Sequence, residues 1–285
     1  MARRRKPIRP MKYPIGQEYA YRRILQSLLV AQKKLLMKYM APKVPALAAD
    51  ATVVDLPTGV LRQDEGWQDD LRKILLRIAK EMVPPTNAAI RQTVRQVGPA
   101  VDRYNKEEWR KLIRSQYGVD PTRESPDQYK QFLDEWSRYN ARLIKDVPAQ
   151  SLRQIQEVSQ KALLEGTVQK DVERDIYDIM SERMDVADSR VRLIARDQVS
   201  KLNGNLTEQR QTDIGVDSYI WRTVGDERVR DTHEENDGQQ FSWDNPPTET
   251  GHPGEDINCR CWAEPVLPET LMFEASLEDD LEEAA

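Results

Sequence analysis

The chain has 285 residues, enough for one large or two ordinary domains with a sizeable core. Charged residues make up 32% of it and aromatics 7%, a balance that fits exposed, charge-laced helices rather than a compact β-rich enzyme. No apolar run approaches the roughly 20 residues of a spanning helix, so no membrane span is expected.

The formal net charge of −5 hides a gradient. From Met1 to Lys43 there are twelve Lys/Arg against a single acidic residue, Glu18, whereas Glu269 to Ala285 holds seven acidic residues and no basic one. The basic start has no apolar stretch behind it, unlike a secretory leader. Two cysteines separated by one residue are not a secreted disulfide framework, and a ring closed so tightly would be strained. The expectation is a chain made in a reducing cytosol, with both thiols free or metal-bound.

In chain order, the first twelve residues read as a Pro-punctuated basic arm, disordered alone. Its cations Arg3, Arg4, Arg5, Lys6, Arg9 and Lys12 suit nucleic-acid phosphate or an acidic protein surface. Gln17 to Met40 reads as a helix with an apolar stripe of Ile24, Leu25, Leu28, Leu29, Leu35 and Leu36, ended by Pro42 and Pro45. Residues 41–64 read as a Pro/Ala-rich connection. A helical block over about 65–115 breaks at Pro84-Pro85 and near Gly98-Pro99. Another spans about 126–165, with Pro148 interrupting it. Gly166 and the polar Thr167–Asp171 mark a turn into a helix ending near Arg183.

A further helix is expected from an N-cap at Asp188, with Val191, Ile194, Ala195, Val199, Leu202 and Leu206 buried and Gly215 just past its end. The period then changes to two. Val216–Val224 reads as a strand, with Tyr219, Trp221 and Thr223 on one face. Gly225-Asp226 is a turn, Asp231–Asp237 a helical turn closed by Gly238, and Phe241-Ser242-Trp243 a brief strand. Asn245-Pro246-Pro247 cannot be a strand, and residues 260–266 return as a closing one. The fold class is therefore α+β: a predominantly helical N-terminal body with a small C-terminal α+β module. The expected divisions are 1–45 (basic arm and first helix), 46–186 (helical body), 187–268 (α+β module) and 269–285 (acidic tail).

All the histidine and cysteine in the chain lies in that module, as His233, His252, Cys259 and Cys261. The set has the ligand chemistry of tetrahedral zinc, although Cys-x-Cys is a less common knuckle than Cys-x-x-Cys. Zinc would explain how a loop rich in Gly and Pro holds its shape. A second reading has the cysteines flanking a buried turn while the histidines make hydrogen bonds. A third is nuclease-like, with His233 as general base and Arg228 and Arg230 on a scissile phosphate.

The order Asp226-x-Arg228-x-Arg230-x-x-His233, Asp237-Gly238, Pro253-Gly254 and Cys259-Arg260-Cys261, behind the helix RLIARDQVSKLNG, resembles the phage head morphogenesis family, minor head proteins similar to protein F of phage Mu. The resemblance covers about 80 residues, from Ala187 to Leu267. It implies a virion component present in few copies and made in the host cytoplasm. Such a component acts with the portal and the major capsid or scaffolding protein in head assembly, and on packaged or ejected double-stranded DNA in some cases. It implies no enzymatic activity. His233, Cys259 and Cys261 lie on the family pattern, whereas His252 stands apart from it.

Overall fold

A computed structural model of the chain describes residues 9–51, 54–55, 61–62, 66–117, 126–165 and 169–268. Arg3, Arg4, Arg5, Lys6, the turn at Gly166–Val168 and the acidic tail lie outside the described residues. The chain forms two compact units, neither of them continuous in sequence. One comprises Tyr21–Thr93 and Arg138–Ile194; the other comprises Met1–Ala20, Val94–Ser137 and Ala195–Ala285.

The first of these units is helical. Helix α1 (Ile15–Tyr39) buries Ile24, Leu25, Leu28, Leu29 and Leu36, as the periodicity predicts, whereas Leu35 of the expected stripe is only half-buried. A 3₁₀ turn over Ala41–Lys43 leads directly into α2 (Val44–Ala51), so residues 41–51 are not an irregular connection. Pro42 and Pro45 sit in first turns, where a missing N–H breaks no intrahelical bond. A two-residue antiparallel ladder, β1 (Val54–Asp55) with β2 (Leu61–Arg62), precedes α3 (Gly66–Glu81). Trp67, Leu71, Leu75 and Ile78 form the buried stripe of α3. Pro84 and Pro85 open α4 (Val83–Gln92), so the helical block does break there.

A π-helical turn over Thr93–Val97 leads into α5 (Gly98–Tyr117). Helix α6 (Pro126–Glu165) runs unbroken through Pro148, contrary to expectation. A Gln32 side-chain amide donates to the Pro148 carbonyl at 3.2 Å, and Ile144, Val147, Leu152 and Ile155 stay buried on either side of the proline. The expected end near Arg183 is also absent, because α7 is one 45-residue helix, Gln169–Asp213. Ile176, Met180, Met184, Ala187 and Val191 are all buried at spacings of three and four, so the apolar stripe never lapses. Asp188 caps nothing; its carboxylate accepts from Gln26 and Arg192, each at 2.7 Å.

The second unit carries the small sheet. After Gly215 (φ +80) come β3 (Ser218–Arg222), α8 (Asp231–Asn236), β4 (Gln240–Ser242) and β5 (Trp262–Val266). The sheet is antiparallel in the order β4-β3-β5, with Tyr219 opposite Phe241 and Pro265, and Trp221 opposite Ala263. Tyr219, Trp221, Trp243 and Ala263 form one core beneath it. A second core joins Met11, Trp109, Leu112, Ile113, Val216 and Leu267. Met11 thus anchors the end of the expected basic arm, leaving Arg9 and Lys12 exposed beside it.

Candidate metal centre

Three elements converge around Trp221 of the central strand. Helix α8 supplies His233, whose ring meets the fully buried indole edge-on at 5.4 Å between centroids. The turn entering β5 supplies Cys259 and Cys261. His233 Nδ1 lies 3.6 Å from Cys259 Sγ and 3.4 Å from Cys261 Sγ. The three ligand atoms lie within 4.8 Å of one another, the one such His/Cys/acidic group among the described residues. They form a His–Cys–Cys group with the chemistry to hold a metal ion.

The surroundings orient the ligands. His233 Nε2 sits 3.2 Å from Asp256 Oδ2, which also accepts from Arg230 Nη1 at 2.7 Å. A carboxylate on one imidazole nitrogen fixes the ring and turns the other nitrogen to the ligand side. The Gly254 and Cys261 amides donate to Cys259 Sγ at 3.3 and 3.4 Å. This wrapping requires backbone in the left-handed region at Gly254 (φ +99) and Asn258 (φ +61), residue types that tolerate it. The turn is pressed onto α7: a Cβ on Gly204 would stand 2.6 Å from the Pro253 carbonyl oxygen, and one on Gly254 would stand 3.0 Å from the Ser200 carbonyl oxygen. The Ser200 hydroxyl donates to the Cys259 carbonyl.

The hydrogen bonds set the charges. The Cys261 thiol and then His233 stabilise the Cys259 thiolate against burial, lowering its pKa to about 5. The Cys261 thiol is pushed upward, since it donates its proton in a hydrogen bond to the neighbouring thiolate and is itself partly buried. His233 is raised above the usual imidazole value, first by its bond to Cys259 and further by Asp256, against burial.

His252 is not part of this group. Its Nδ1 pairs with the Tyr219 hydroxyl at 2.9 Å, and its ring packs on Trp243 with centroids 4.9 Å apart. Burial holds its pKa below the usual imidazole value. Of the four candidate ligands, the structure joins His233, Cys259 and Cys261 and gives His252 a place in the aromatic core. The nuclease-like roles meet a different geometry. Both nitrogens of His233 are engaged, its side chain is 3% exposed, and Arg230 is spent on Asp256 and the Ile257 carbonyl.

The three residues line a cavity of about 240 Å³, together with Arg196, Arg228, Arg230 and Arg260 and the apolar Val224 and Val229. Arg260 grips Asp226 with two 2.6 Å hydrogen bonds, and Arg196 faces Glu18 at 3.5 Å. Residue-type logic singled out His233 and both cysteines but missed Asp256, Ser200 and Gly204. A glycine inside an otherwise strong helix was the one available signal, since it marks a close backbone approach.

Residues 153–264 match the family model described as Phage Mu protein F like protein, the family the ordered motif resembles. A Haemophilus influenzae relative, described as an uncharacterized protein, is 38% identical over 169 residues, which cover 58% of this chain and 37% of the relative. The chain therefore matches little more than a third of that relative's length. No solved structure matches the chain. No helix of the described residues is long and apolar enough to cross a membrane.

Proposed function

We propose that the chain is a minor head protein of a tailed bacteriophage, a virion component that acts with the portal in head assembly and bears on DNA packaging or ejection. The observation that carries this reading is the family match over residues 153–264, which takes in β3, β4, the start of β5 and the whole His–Cys–Cys group. The role is assembly rather than catalysis. The engaged nitrogens of His233 favour that division, since a general base needs one of them free to meet its substrate. The portal is the first partner and the major capsid or scaffolding protein the second. The test is recovery of the tagged chain in purified heads and its co-purification with portal protein. Its absence from heads, together with no portal binding, would overturn the assignment.

In this reading zinc pins the module. Zn–S bonds of about 2.3 Å and Zn–N bonds of about 2.0 Å in a tetrahedron place N and S ligand atoms roughly 3.5 Å apart. The observed 3.4 and 3.6 Å separations match that edge. Stoichiometric zinc by elemental analysis, with a melting temperature lowered by chelation, is expected. The basic arm (Arg3, Arg4, Arg5, Lys6, Arg9, Lys12) contacts packaged double-stranded DNA or an acidic partner. Deleting residues 1–12 should flatten the salt dependence of DNA binding if DNA is the contact.

A further inference from the structure

We propose that the metal held by His233, Cys259 and Cys261 keeps one coordination position open to the arginine-lined cavity, and that this position takes a singly charged oxyanion. The inference rests on the zinc reading above and concerns what that zinc would bind.

Three observations lead to it. First, the protein supplies three ligand atoms, and among the described residues no fourth His, Cys or acidic group joins them. The residue chemically suited to be fourth, His252, is paired with Tyr219. Structural zinc is closed by four protein ligands, whereas three ligands and a vacant position mark sites that exchange a small ligand. Second, all three ligand residues line the same cavity, and its volume of about 240 Å³ exceeds the roughly 30 Å³ share of one water.

Third, the charges around the cavity leave one positive charge unmatched. Arg196 faces Glu18, Arg230 faces Asp256 and Arg260 faces Asp226. Arg228 also lines the cavity; it forms no salt bridge of its own among the described residues, and the carboxylate its charge reaches, Asp226, is already held by Arg260. Zinc with two thiolates and a neutral imidazole has no net charge. A ligand with a single negative charge therefore balances Arg228. A guanidinium fork and a metal facing the same space both favour an oxygen anion. Val224 and Val229 add apolar surface to the walls beside these charges.

The test uses the full chain with cobalt(II) in place of zinc, because cobalt absorption reports coordination number and ligand exchange. Acetate and dimethyl phosphate serve as the carboxylate and phosphodiester probes. The visible cobalt bands should shift in a saturable way with at least one of them, and the responding probe identifies the source of the oxyanion. Arg228→Ala should weaken that binding at least tenfold at unchanged cobalt content. His252→Asn, which keeps an acceptor near Tyr219, should retain cobalt and the response. One cobalt per chain with bands that neither anion moves would overturn the open position, as would loss of cobalt in His252→Asn. Failure to take up any cobalt or zinc would instead overturn the zinc reading beneath it.

Discussion

The contact between Gly204 and the Pro253-Gly254 turn gives the most exacting test of the fold around the His–Cys–Cys group. Replacing Gly204 with alanine puts a methyl group 2.6 Å from the Pro253 carbonyl oxygen, and relief to an ordinary 3.4 Å contact requires a displacement of about 0.8 Å. The opposing atom is backbone, so no side-chain rotation absorbs the shift. Either α7 or the turn holding Cys259 must move. Alanine gains about 1 kcal/mol of helix propensity over glycine, while overpacking in a close-packed interior costs about 1–3 kcal/mol. Because the opposing atom is backbone, the cost falls in the upper part of that range, about 2–3 kcal/mol, and the net expectation is a loss of about 1–2 kcal/mol. Gly16→Ala provides the control, because Gly16 lies in the first turn of α1 and a Cβ there meets nothing within 4 Å. It should be neutral or stabilising by up to about 1 kcal/mol through the unfolded chain. Urea unfolding followed by tryptophan fluorescence measures both. A Gly204→Ala midpoint equal to or above that of the parent would refute the close approach.

Further substitutions probe the surrounding network. Tyr219→Phe leaves His252 Nδ1 buried without its 2.9 Å partner and should destabilise by about 1–2 kcal/mol in the same urea assay. Glu208 is raised above the usual carboxylate range by burial and then by Glu255 and Asp244. A raised carboxyl contributes most while protonated, below its unfolded value, and loses that contribution as pH rises through the folded one. Glu208→Gln should therefore stabilise modestly at pH 7, by less than about 1 kcal/mol, with the gain vanishing in acid; thermal unfolding at several pH values shows whether it does. Arg210, 2% exposed, bonds Asn105 and Asp102 at 2.5 Å each and stacks on Tyr129, so Arg210→Met should cost about 3 kcal/mol or more by chemical unfolding. Arg210→Lys should rescue it only in part, since an ammonium cannot reproduce the fork. Asp256→Asn removes the charge that orients His233 and should weaken zinc binding about 10–100-fold in a competition titration against a chelator.

What was legible in the sequence followed from periodicity and turn chemistry. The switch from a 3.6 to a 2.0 period after Gly215, the closing Gly238 and the Pro246-Pro247 break located the strands to within a residue or two, because each signal is local. The errors arose where tertiary partners overrode a local breaker. Pro148 reads as an interruption, but it removes a single N–H bond while Ile144, Val147, Leu152 and Ile155 stay buried through it. Asp188 reads as a cap, but Gln26 and Arg192 take its carboxylate and the buried stripe continues beneath it. The cluster of His and Cys gave the location of the candidate site and the types of its ligands. It could not give the separation of His252 from the rest, which depends on a Tyr219 hydroxyl and a Trp243 face arriving from two different strands or turns.

The alternation of the two units along the chain has a consequence for genetic exchange. The matched segment begins in one unit and ends in the other, with the division at Ile194 and Ala195 inside α7. One core of the unit that carries the His–Cys–Cys group takes Trp109, Leu112 and Ile113 from α5 and Met11 from near the N-terminus. A recombination joint placed at the start of the match would bring in the Cys-Arg-Cys turn without the tryptophan and leucine that support its sheet. Viable chimaeras between relatives should therefore inherit α5 and the C-terminal strands from the same parent, even though about a hundred residues separate them in sequence. The heritable block is discontinuous, and a crossover map of functional hybrids would show two linked intervals rather than one.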